Sequence, residues 1–292
     1  MSGRDGQGEI VVAAARGDAT AATILAALRR RGRASRLVDE ATLARAVLEH
    51  RPASGAPGRG TQALPGDRLQ LPDGGVVGPG TGLLVWRLDT FPLAAVSAGH
   101  REYADAEAFA AGLSWLTGLG DKVLNPPDPF GLAGPRVDLL RLAQLCEQAG
   151  VATAPFELCT NQAAARPGPT GRAWVWQPPG LPDPTQRWTP HPAGPPLPRP
   201  VLRTAAVQPA EPVLVLDARV VGTAAVPGEA LVALAAAAGL RCAEVSTGTT
   251  ADGRPVVTAV SPVPGLRAAG QFPAFVSYLE RRADRTIEEA AA

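Results

Sequence analysis

Apolar and polar positions alternate with legible periods along most of the chain. Glu9 to Ala15 is a short apolar run, and Ala19 to Arg31 carries Ile24, Leu25 and Leu28 at helical spacing before an arginine cluster, which predicts a strand followed by a helix. Ser35 to Val38 predicts the next parallel strand and Glu40 to His50 another helix, the beginning of an α/β layer. Pro52 to Gly82 is rich in glycine and proline and is expected to hold a loop with short hairpin pieces. Leu83 to Leu88 predicts a buried strand, and Ala104 to Leu119 a helix with Phe109, Leu113 and Leu116 on one side. Val123 to Asn125 is strand-like, and prolines at 126, 127 and 129 then break the chain. Arg136 to Ala149 predicts a core-facing helix stopped by Gly150.

Beyond Ala163 the pattern is lost until Pro200, in a stretch of proline, glycine and the tryptophans Trp174, Trp176 and Trp188. It returns as a hairpin, Val213 to Leu216 and Arg219 to Val226 around Asp217 and Ala218. A helix is expected over Glu229 to Ala238. Two strands, Cys242 to Val245 and Pro255 to Val260, should flank the turn Ala251-Asp252-Gly253. Phe272 to Arg282 predicts an amphipathic helix, with the acidic tail after it frayed.

Composition narrows the function classes. The 292 residues leave room for one large core or for two to three small domains, and 46% hydrophobic against 19% charged residues is a globular balance. A formal net charge of +1, without a basic stripe, leaves no footprint for nucleic acid. The odd, widely spaced cysteines Cys146, Cys159 and Cys242 fit neither a disulfide framework nor a zinc site. The first residues are polar and no apolar run approaches the ~18 residues of a membrane span, so a cytoplasmic location is expected. Arginine, alanine, proline and glycine usage fits a GC-rich bacterial genome. Lys122 is the only lysine, which excludes any mechanism needing two.

The segment Val123 to Asn161 resembles a signature of the ATP-grasp superfamily, in Asn125 to Pro127, Gly150-Val151, Pro155 and Thr160-Asn161. It is similar to ribosomal-peptide maturases of the RimK and microviridin-ligase type. Val213 to Val226 resembles that family's hairpin and Ala238 to Leu266 its metal-binding end, closing on Pro264-Gly265-Leu266. The resemblance implies an α/β fold with an N-terminal parallel α/β domain (1–125), a reduced, Pro-rich small lobe (126–200) and a C-terminal lobe (201–292).

It also implies a chemistry that this sequence lacks the groups to perform. Such ligases make an acyl phosphate from a carboxylate and ATP, using two lysines and magnesium held by an Asp and a Glu-x-Asn. Here one lysine position falls on Gln177. The other falls near Asp138-Leu139, with only Arg136 and Arg141 beside it. The metal positions fall on Ser246 and on Ala259-Val260-Ser261, and Glu211 is a further degenerate nucleotide position.

No cofactor is therefore expected, and the reading is a pseudoenzyme that binds a peptide or protein partner. Trp174, Trp176 and Trp188 form either its partner surface or a solvated loop. The rival readings are an active ATP- and magnesium-dependent carboxylate-amine ligase, with Arg136 or Arg141 on phosphate and Glu211, Asp217 or Glu244 on metal, and a nucleotide-binding regulator. His50, His100 and His191 are isolated and imply no triad. The His100 to Tyr103 stretch reads equally as a helix start or as a substrate-contacting region.

Overall fold

The computed structural model describes residues 8–49, 67–94, 96–159, 174–177, 201–205 and 207–291. The chain divides into two compact units. The first comprises Met1–Arg136, Gly239–Arg241 and Phe272–Ala292; the second comprises Val137–Ala238 and Cys242–Gln271.

In the first unit, β1 (Ile10–Ala14) lies between β2 (Ser35–Asp39) and β6 (Leu83–Trp86), parallel to both. Every residue of β1 is buried, as a central parallel strand requires. Val123 extends this sheet by bridging to Leu84. The helix α1 (Ala19–Arg30) turns Ile24, Leu25 and Leu28 inward. The helix predicted over Glu40 to His50 is not there as such: α2 covers only Glu40–Leu43, and the next residues form β3 (Val47–Glu49). β3 pairs antiparallel with β4 (Arg68–Gln70), which pairs with β5 (Val76–Val77), and that ladder takes the backbone the helix would have used.

The helix α3 (Arg101–Leu119) begins three residues earlier than predicted, after a 3-10 turn at Ala98–His100. Its Trp115 is wholly buried beside Trp86 and Phe91. The helix α6 (Gln271–Ala291) does not fray after Arg282. Ala283 and Thr286 are buried, and the Ile287 side chain lies against Gly8. Arg31 and Arg33 pair with Glu280 and Asp284 of α6.

Both helices that leave the parallel strands start on an aspartate cap. The Asp18 carboxylate accepts from the Ala21 amide at 2.9 Å and from Arg87 Nε at 2.8 Å, and Asp39 accepts from the Thr42 amide at 2.8 Å. Burial pushes the Asp18 carboxyl up, but the Ala21 amide and Arg87 overcome it and hold it below the ordinary 3.8. The Thr42 side chain and amide hold Asp39 below it as well. A carboxyl depressed in the folded state stabilises fully above the unfolded value and loses that contribution as pH falls through the folded one. Acid titration followed by circular dichroism should therefore show wild type losing stability below 3.8, and Asp18→Asn losing less over the same range.

In the second unit, α4 (Leu139–Gln148) starts three residues later than the sequence pattern suggests, on Asp138 as its cap. It ends as predicted at Gly150, whose φ of 67° lets Val151 N–H reach Cys146 C=O and Gly150 N–H reach Glu147 C=O. A three-stranded antiparallel sheet follows, in the order β7 (Phe156–Cys159), β9 (Val201–Ala205), β8 (Trp174–Gln177). The larger sheet runs β10 (Val207–Pro209), β13 (Cys242–Thr250), β11 (Val213–Leu216), β12 (Arg219–Val221), with β14 (Pro255–Ser261) also on β13. β12 stops at Val221, short of the predicted Val226, because Gly222 turns away at φ 114°. The helix α5 (Gly228–Ala237) buries Leu231 and Leu234. Among the described residues, no helix is long and apolar enough to cross a membrane.

Candidate functional site

The residues that the resemblance assigns to metal binding do share one face. β13 and β14 pair so that Ser246 is opposite Ala259 and Glu244 opposite Ser261, and strand alternation sets all four on one side. All four are half-buried. A bulge follows directly, with Thr258 as the extra residue and its hydroxyl donating to Ser246 C=O at 3.2 Å.

Two of the polar side chains on this face, Glu244 and Ser261, are turned to the backbone. Glu244 Oε2 accepts from the Gly265 amide at 2.7 Å. Ser261 Oγ accepts from the Val263 amide at 3.2 Å and donates to Val263 C=O at 3.1 Å. Magnesium is a hard cation that takes near-octahedral oxygen ligands and is held by carboxylates. One carboxylate already engaged by an amide, two neutral hydroxyls and a methyl group do not fit it. The rival reading names Glu211, Asp217 or Glu244 as alternative ligands. Glu211 is exposed just before β11, Asp217 sits at the β11–β12 turn with φ 49°, and among the described residues no three His, Cys, Asp or Glu side chains converge.

The nucleotide positions lie on several elements. At the start of α4 the positive helix end is capped by Asp138, whose carboxylate accepts from the Arg141 amide at 2.8 Å. A negative charge there opposes a phosphate. Arg141 is half-buried and Arg136 exposed. Gln177 lies in β8 opposite Leu202. Trp188 lies outside the described residues, as do His50 and His191. The only lysine, Lys122, belongs to the first unit and donates to Pro79 C=O in the loop Gly78 to Gly82. Burial pushes its pKa down.

Two further residues have structural tasks. Asn125, which carries the resemblance, is buried and accepts from the Arg241 amide at 3.0 Å. Burial pushes the Cys146 thiol up to about 11, so it is no nucleophile at neutral pH. The Glu244 bond to Gly265 escapes sequence reasoning. Its only signal is that Glu244 falls two residues before Ser246 on the same strand face.

No family model matches the sequence, and no curated protein matches it. Solved structures do. The chain is similar to the ATP-grasp ligase PsnB complexed with minimal precursor, magnesium and ADP, at 15% identity and TM-score 0.67 over 94% of this chain and 98% of that one. It is similar to the macrocyclase MdnC of Microcystis aeruginosa bound with precursor peptide MdnA, at 12% identity and TM-score 0.69 over 95% and 99%. It is also similar to a RiPP-associated ATP-grasp ligase of Chryseobacterium gregarium in complex with ADP and a leader and core peptide, at 9% identity and TM-score 0.61 over 95% and 97%. At such identities the likeness is one of fold, and the fold of this chain is that of the ATP-grasp proteins.

Proposed function

We propose that this ATP-grasp-fold chain is a pseudoenzyme, a binding or scaffolding partner for a peptide or protein in a cytoplasmic, bacterial peptide-modification pathway. The observation that carries the reading is the β13–β14 face, where Ser246, Ala259 and Ser261 offer no carboxylate and Glu244 is held by Gly265. The pathway is supported by solved structures similar to this chain: PsnB with a minimal precursor, the macrocyclase MdnC with a precursor peptide, and a RiPP-associated ligase with a leader and core peptide. In this reading 1–125 precedes a reduced small lobe at 126–200 and a larger lobe at 201–292. Trp174, Trp176 and Trp188 supply aromatic surface to the partner, because tryptophan adds contact area at low entropic cost.

A second reading has one observation in its favour: PsnB is seen with magnesium and ADP. Under it the chain binds nucleotide, either as a regulator or as a carboxylate-amine ligase with rearranged ligands. Thermal unfolding with ATP, with and without magnesium, separates the two. A ligand at a hundredfold excess over its Kd stabilises the native state by about 2.7 kcal/mol. The pseudoenzyme should show no shift with either addition. Magnesium-dependent stabilisation would reject it, magnesium-indifferent stabilisation would favour the regulator, and ADP release dependent on a peptide carboxylate would establish the ligase.

A further inference from the structure

We infer that the face resembling a metal site works as a metal-free clasp, with Glu244 and Ser261 holding the loop 262–266 in the place of a cation. The inference rests on the reading that this face binds no magnesium, and goes beyond it by giving the remaining side chains a task.

Glu244 and Ser261 stand directly opposite one another on β13 and β14. Each reaches forward to the loop that leaves β14. Ser261 Oγ takes the Val263 amide and returns a hydrogen bond to Val263 C=O, so a single hydroxyl closes the first turn. Two residues later Glu244 Oε2 takes the Gly265 amide at 2.7 Å, a charge-assisted bond on a half-buried face. The next residue, Leu266, is buried with φ 56°, a left-handed conformation that leucine adopts only where its surroundings impose it. The bond to Gly265 fixes the backbone immediately before that residue.

The far end of the loop is held as well. Gln271, wholly buried, accepts from the Ala268 amide at 3.2 Å and donates to Pro212 C=O at 2.6 Å. The carboxylate on this face is thus committed to backbone, and the loop it orders folds back over the strands that carry it. Side chains of this chain organise the loop, so its order should be indifferent to divalent cations.

Amide hydrogen exchange on the full-length chain tests this, read at Gly265 and over 262–266, with and without magnesium. In wild type the Gly265 amide should be protected and unchanged by magnesium. Glu244→Ala should speed its exchange roughly ten- to hundredfold, the loss expected for a hydrogen bond to a charged group. Glu244→Gln, which keeps an acceptor on the same stem, should speed it less, and serves as the readout should the alanine variant fail to fold. Equal exchange at Gly265 in wild type and in whichever variant folds, without a magnesium effect, overturns the clasp while leaving the proposed function standing. Protection of Gly265 that magnesium adds in wild type and that is lost in the variant overturns both.

Discussion

A chain carrying Ser246→Asp, Ala259→Glu and Ser261→Asn together will be stabilised by magnesium, and the wild-type chain will not. The three substitutions restore the Asp and the Glu-x-Asn that the resemblance places at these positions. Residues directly opposite on antiparallel strands have Cβ atoms about 4.5 to 5.5 Å apart. Side chains on four such positions can therefore converge on one ion with oxygen distances of about 2.0 to 2.1 Å. Without the ion, the two new carboxylates stand beside Glu244 on a half-buried face. Like charges so placed should lower stability by roughly 1 kcal/mol. Magnesium in hundredfold excess over its Kd should then add about 2.7 kcal/mol. Thermal unfolding over a magnesium series measures both steps. A triple variant that ignores magnesium would show that the register between β13 and β14 does not build the site the resemblance implies.

Replacing Trp115 by alanine should cost about 3 to 5 kcal/mol, the range for removing a buried large aromatic. Its ring meets Trp86 edge-on at 6.1 Å and Phe91 at 6.3 Å, while those two stack on each other at 5.6 Å. The two indoles differ in one respect. Trp86 Nε1 donates to Leu88 C=O at 2.8 Å, whereas Trp115 Nε1 is buried without an acceptor among the described residues. An unpaired buried donor costs about 1 to 3 kcal/mol. Trp115→Phe keeps an aromatic ring edge-on and removes that donor, so its net loss should stay below about 1.5 kcal/mol. Urea midpoints at constant m-value will rank the variants. Equal losses in both would mean that the indole N–H has a partner, such as a trapped water.

What could be read from the sequence was what local chemistry decides. The alternation of β1, α1 and β2 follows from spacing alone, and Gly150 ends α4 because a left-handed residue is needed there. Non-local pairing decided the failures. The stretch after Leu43 has a helical composition, yet β4, which begins only at Arg68, recruits Val47–Glu49 into a ladder. The tail of α6 holds its helix because Ile287 meets Gly8, almost the whole chain length away. The same limit applies at the candidate site. That positions 246, 259 and 261 carry no carboxylate was plain from the sequence, whereas the grip of Glu244 on Gly265 depends on how the chain returns after β14.

The first unit is assembled from three stretches, and residues 272–292 are one of them. Phe275, Tyr278 and Leu279 bring buried side chains to it, and Tyr278 hydroxyl donates to Arg241 C=O. During synthesis, domains ordinarily fold as they emerge, earliest residues first. This one must wait. Its parallel strands leave the ribosome early, but the helix α6, with its buried side chains, arrives only after the entire second unit has been made, so the first unit stays incomplete for most of translation. A nascent chain arrested before residue 272 would be a substrate for chaperones.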